Sequence, residues 1–344
     1  MSTPLKFLWS RSSQNTLLIS SPLILCVFGL ALYRHLDPSN AISPDLERYE
    51  QAYQAADLYG LRDYVAAFRF EPGFTAMFKL LHTMNLEFLD FLMVNQIIYF
   101  GALLFLLGRV TPSSLMYASV ALAISLFFPS HFLMSNNALR QAWAMALLFI
   151  ALAHLIKRLK LFPPQRAWRS ASFLTPLAIG VTFHYSLAII SALIIIALHL
   201  PQKIALRLWF MLMILYCGNF FGGAALLHEH LYPVLANNST AQESALWVEY
   251  ELGFKANFLL MSIVPFATWL WIKFSHTVIS QSLSRLFSIY FVLCSFCFLL
   301  SFFPFHDRFF HYAWSIIPAI LLGVFFEKFI LAWRQKSRLC INGA

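Results

Sequence analysis

Apolar runs of roughly 16–20 residues recur along the whole chain, each long enough to cross a hydrocarbon core about 30 Å thick. Lipid offers no partner to an exposed peptide group, so segments of this kind cross it as helices with their backbone bonds closed internally. That constraint predicts an all-α, polytopic membrane protein. Composition agrees: 60% of residues are hydrophobic, 11% are charged, and mean hydropathy is +0.70. No internal repeat and no separate soluble domain is visible, so residues 1–344 are read as a single integral membrane domain.

The apolar pattern places about ten spans, at 16–33, 91–108, 113–130, 138–156, 170–183, 185–200, 204–221, 257–272, 286–303 and 311–327. The fifth and sixth are short and meet at His184; joining them into one long helix leaves nine. Charge decides between the two counts. With ten spans and the N terminus inside, basic residues crowd the cytoplasmic segments, from Lys6 and Arg11 through Lys157–Arg169 to Arg334–Arg338, while nearly all acids fall outside. Nine spans would put the basic 334–338 tail outside. Ten spans with both termini cytoplasmic therefore fit best. The run at 16–33 carries no small-residue cleavage site after it and is read as a retained span rather than a signal peptide.

The same sorting explains the net charge of +9. The excess lies in short loops, where it anchors topology against anionic lipid, and it gives no reason to expect nucleic acid. Four of the five cysteines lie in apolar runs, and Cys294 and Cys297 read as a buried apolar pair rather than a redox or metal site.

Two outer loops are long, about 34–90 and 222–256. In the first, residues 45–59 carry tyrosines at helical spacing among acids, Pro72-Gly73 marks a turn, and residues 74–84 read as an amphipathic helix in the membrane interface. The second contains "HEH" at 228–230, which lacks a third ligand at zinc-site spacing, so no metal is expected. Its Asn237-Asn238-Ser239-Thr240 sequon matters only in a eukaryotic secretory setting.

Eight basic residues face outward against the topological bias: Arg34, Arg48, Arg62, Arg69, Lys79, Arg140, Lys255 and Arg308. Arg140 is the sharpest case. It follows Asn136 and Asn137 at a span's start, where a helix N terminus already presents free N–H groups, and a guanidinium there suits an anion such as phosphate. Arg308 sits among His306, Asp307, His311 and Tyr312. Arginines at span ends also snorkel or pair with carboxylates, and Asp307 can serve Arg308 in that way. His184, at the outer tip of spans five and six, can donate, accept and titrate near neutrality.

The segment "SNNALRQAWAMALLFIALAHL" with Asn137, Arg140, Gln141 and Ala144, then Phe183, His184 and Ser186, resembles the EpsG-type branch of Wzy-like polysaccharide polymerases. Asp45 and Tyr49, "EPGF" at 71–74, and Arg308 with Tyr312 extend the likeness over residues 40–325, while the second outer loop departs from it. The resemblance implies polymerisation of O-antigen or capsule repeat units at the outer face of a bacterial inner membrane. A chain on polyprenyl diphosphate would pass to a lipid-linked acceptor. Arg140, Arg308 and Arg69, with Asn137 and Gln141, would hold the diphosphate. His184, Glu71 or Asp45 would be the base, and Tyr49 and Tyr312 would stack on sugar. No cofactor is implied; the expected partners are the lipid-linked oligosaccharide, membrane lipids, a chain-length regulator and a flippase. The rivals are an O-antigen ligase or another polyprenyl-phosphate-dependent glycosyltransferase, and a transporter or flippase. A ligase should carry arginines and a histidine in one large late outer loop, where 222–256 has only Lys255 as a basic residue. A transporter should place its charges near mid-membrane.

Overall fold

The computed structural model describes residues 44–111, 138–218, 253–301 and 306–330, with scattered positions between 122 and 135. The expected spans at 16–33 and 113–130 fall wholly or largely outside the described residues, as does nearly all of the second outer loop. Every regular element among the described residues is helical. The first are α1 (Pro44–Gln54), α2 (Leu61–Phe68), α3 (Pro72–Thr83) and α4 (Phe88–Val110). Then come α5 (Leu139–Leu159), α6 (Ala171–Phe183), α7 (Ser186–His199) and α8 (Gln202–Cys217). The last are α9 (Ala256–Phe274), α10 (Gln281–Leu299), α11 (His306–Trp314) and α12 (Ile317–Phe325).

Among the described residues, five segments are long and apolar enough to span a bilayer: α4, α5, α9, α10 and the run His306–Lys328 formed by α11, α12 and the turn after them. The last segment starts five residues earlier than its apolar pattern suggests. Its first turn holds the polar residues His306, Asp307 and Arg308, which a helix end tolerates more readily than a helix centre. The break expected at His184 is present. That residue caps α6 in an extended conformation, with φ −157° and ψ 113°, and α7 restarts at Ser186.

The described residues fall into two compact units, 190–321 and the remainder. The second unit, 190–321, is held by aromatic stacking and a few internal polar ties. Trp209 stacks on Phe266 with ring centres 4.8 Å apart, and Ser262 accepts bonds from the Tyr290 hydroxyl through its carbonyl and from the Trp314 indole through its Oγ. Cys294 and Cys297 are buried there and unbridged.

The first unit contains the region of interest. Its membrane-depth packing relies on small residues, because lipid tails give helices no hydrophobic reason to associate. Ala142, Ala144, Ala146, Ala151 and Ala153 are fully or almost fully buried along α5. Against this helix, Gly180 of α6 lies so close that an added Cβ would stand 3.3 Å from Leu147 Cβ and 3.6 Å from the Ala144 carbonyl oxygen. Above it, α1 and α3 fold by ordinary amphipathic logic. Tyr49, Ala52, Tyr53 and Ala56 recur at helical spacing and are all buried, as are Phe74, Met77 and Phe78 of α3. They join Tyr64, Phe70 and Phe91 in one aromatic cluster, with Phe74–Phe78 centroids 4.3 Å apart and Phe78–Phe91 4.7 Å apart. Each such ring stabilises the assembly by about 1.5–3 kcal/mol if fully buried from water. Phe91 belongs to α4, so the cluster welds the segment 44–83 to a helix able to span a bilayer.

Candidate active site

Three separate stretches of sequence meet at one carboxylate. Glu71 precedes Pro72, whose ring presets the backbone for the first helical position of α3. A glutamate in the N-cap position commonly turns back on its own helix, but this one makes no capping bond. Gly73 explains how it is aimed. A Cβ there would fall 2.9 Å from the Thr182 carbonyl oxygen and collide with the Thr182 hydroxyl, so only glycine lets α3 start directly on the last turn of α6. That contact puts Glu71 beside His184, two residues beyond Thr182.

His184 Nδ1 lies 2.9 Å from Glu71 Oε1, and Arg140 Nη1 donates to Glu71 Oε2 at 2.7 Å. Arg140 Nε donates to the Tyr49 hydroxyl at 3.2 Å, and the guanidinium lies over the Phe70 ring, 5.1 Å from its centroid. This arrangement leaves the Nη2 amino group outside both bonds. Arg140 is the second residue of α5, whose N-cap, Ala138, has no side chain to satisfy the first-turn N–H groups. One turn on, Trp143 stacks on Phe183, with centroids 5.3 Å apart and planes 7° apart, which fixes the α5 start against the α6 end.

Burial of Glu71, which is 5% exposed, favours its neutral form. The hydrogen bond from His184 and the charge of Arg140 outweigh that effect and lower its pKa from 4.5 to about 2. Glu71 is therefore an anion at every physiological pH, with both oxygens engaged. An anionic acceptor at Nδ1 favours a proton there, and in the neutral imidazole that tautomer carries its lone pair on Nε2. The cluster can hold a proton acceptor and a guanidinium a short distance apart in a largely buried setting.

Arg69, two residues before Glu71, is exposed and takes the left-handed conformation with φ 53° and ψ 35°. This turn ends α2 and drives Phe70 inward while Glu71 faces Arg140 and His184. Tyr49 is a partner of Arg140 rather than an open platform, since its ring is 6% exposed and packed against Phe70 and Phe74. Gln141 is buried, and its position on α5 turns it about 100° away from Arg140. Asp45 lies in the first turn of α1, with its side chain outside the described residues, as Asn137 is altogether. Arg308 and Tyr312 belong to α11 in the other unit, where Tyr312 is fully buried and presents no ring face for a sugar to stack on.

Two of the cations expected to face outward have structural explanations. Lys79 donates to the Ala56 and Tyr59 carbonyls and closes the chain after α1, and Arg48 donates to the Phe68 carbonyl at 3.0 Å. Sequence reading overlooked Phe70 as the ring beneath Arg140, and it took Gly73 for a turn residue when its role is close helix approach.

A model described as the EpsG family matches residues 19–341, nearly the whole chain. The protein belongs to the EpsG family. No curated protein and no solved structure matches the chain. EpsG family membership, with five helices among the described residues long and apolar enough to cross a bilayer, ties this membrane protein to polysaccharide biosynthesis.

Proposed function

We propose that the protein polymerises polysaccharide repeat units by glycosyl transfer from a polyprenyl-diphosphate-linked chain to a lipid-linked acceptor, at the outer face of a bacterial inner membrane. The observation that carries this reading is the bridging of His184 and Arg140 by the two oxygens of Glu71. His184 Nε2 takes the proton of the acceptor hydroxyl as its oxygen attacks the anomeric carbon of the donor sugar. The bond from that carbon to the diphosphate oxygen breaks, and the electron pair leaves on the polyprenyl diphosphate. Arg140, through Nη2 and the neighbouring helix N terminus, meets the charge that develops there. Glu71 is a positioning residue, because an anion with both oxygens engaged is a poor base, and it stabilises the imidazolium once His184 is protonated.

The cluster gathers at helix ends, namely the starts of α3 and α5 and the end of α6, which favours chemistry at the interface over transport through mid-membrane. The test is complementation of a polymerase-deleted host in the protein's own glycan background. Wild type should restore a ladder of long chains. Arg140→Lys should reduce polymer by about 10²–10³-fold, and His184→Gln by about 10²–10⁴-fold. A wild-type protein that leaves single repeats unextended would move the ligase or the transporter to the front.

A further inference from the structure

A cleft of about 580 Å³ opens on another side of α1, between that helix, the end of α3 and the start of α4. Its polar lining comes from Glu50, Gln54, His82 and Glu87, and Tyr53 and Phe88 supply aromatic surface, with ring centroids 5.8 Å apart. Among the described residues, no lysine or arginine lines it. Such a lining repels phosphate and acidic sugars, whereas carboxylates and amides accept and donate to hydroxyl groups, and ring faces suit the C–H face of a pyranose.

The arrangement contrasts with the site around Glu71. On α1, Arg48 turns toward Phe70, whose ring also lies beneath Arg140, while Glu50 and Gln54 turn toward the cleft. Tyr49 touches Arg140 and Tyr53 lines the cleft, four residues or about 6 Å further along the helix axis. Cationic and hydroxyl-binding surfaces thus lie side by side, as a ligand with an anionic head and an uncharged glycan requires. The cleft also borders Phe88, the first residue of a helix long and apolar enough to span a bilayer, so it lies at an end of that helix rather than along its middle.

We propose that this cleft is a subsite for uncharged, hydroxyl-bearing sugar residues of the lipid-linked glycan. The inference rests on the polymerase reading for the source of that glycan. Glu50 and Gln54 are the residues to change, since their mutual contact is a long 3.5 Å bond, whereas the Glu87 carboxylate is committed to capping α4.

The experiment uses the full chain in lipid nanodiscs with two probes: oligosaccharide released from the host's lipid-linked repeats, and polyprenyl diphosphate without sugar. The double variant Glu50→Ala/Gln54→Ala should weaken the released oligosaccharide about ten-fold, the loss of one to two hydrogen bonds, and leave polyprenyl diphosphate binding unchanged. Gln54→Trp, which fills the cleft and gives up only the long bond to Glu50, should do the same, and Arg140→Ala should show the reverse pattern. Oligosaccharide binding that is absent in the wild type, or unchanged in both cleft variants, overturns the subsite. Failure of the polymerase reading would be seen separately, as single repeats left unextended by wild type, while the titration still reports whether the cleft holds sugar.

Discussion

Replacing Glu71 by glutamine removes one charge and almost no volume, so its effect falls on the hydrogen bonds around that side chain. The carboxylate accepts from two donors, Arg140 Nη1 and His184 Nδ1. An amide can accept on only one side. The guanidinium, always charged, takes the amide oxygen, which turns the NH₂ toward His184 Nδ1. The imidazole must then accept at Nδ1 and carry its proton on Nε2, the atom proposed to receive the acceptor's proton. Glu71→Gln should therefore abolish the long-chain ladder even though every side chain can keep its place. The stability cost comes from the depressed pKa: a fall from 4.5 to about 2 corresponds to about 3 kcal/mol of interaction with the ionised form. That figure agrees with the expected cost of leaving one member of a buried ion pair alone. Expression and thermal midpoint, measured in detergent beside the glycan ladder, separate the two effects. The double variant Glu71→Gln/Arg140→Met should recover part of the lost midpoint but none of the ladder. A Glu71→Gln protein that builds full-length polymer would refute the tautomer argument.

Gly73→Ala should lose polymerisation through displacement of α3 from Thr182, with a stability cost of about 1–3 kcal/mol, checked by ladder and thermal midpoint together. Arg69→Gly should retain the ladder and match or slightly exceed wild-type stability, because glycine relieves a left-handed backbone worth about 1 kcal/mol; loss of polymer in a stable variant would instead give the guanidinium a ligand. The folded pKa of Glu71 lies below its ordinary value, so its stabilisation is complete above pH 4.5 and drains as pH falls through about 2. Thermal midpoints taken from pH 6 to pH 2.5 should show that component in wild type and lack it in Glu71→Gln.

The fold class was legible because membrane insertion reads composition directly: length, apolarity and charge bias act on each segment before any tertiary contact exists. The break at His184 and the helix start at Arg140 were visible for the same local reason. The helical spacing of Tyr49 and Tyr53 was legible in the same way, whereas Tyr59, grouped with them by its spacing, lies past the end of α1 and is exposed. What no window of sequence contains is that Glu71, Arg140 and His184 share one set of hydrogen bonds across separations of 69 and 113 residues. Glu71 and His184 looked alike as candidate bases. Their roles diverge only because packing supplies the carboxylate with two donors and thereby holds it ionised. Arg69, Tyr49 and Lys79 were legible as polar residues facing outward, yet a left-handed turn, an aromatic cluster and two carbonyls decide what each does. Residue type and spacing set which groups fall at the ends of apolar helices; the close approach of Gly73 to Thr182 decides which of them meet, because hydrogen bonds and ion pairs act over a few ångströms and only the packed chain sets those distances.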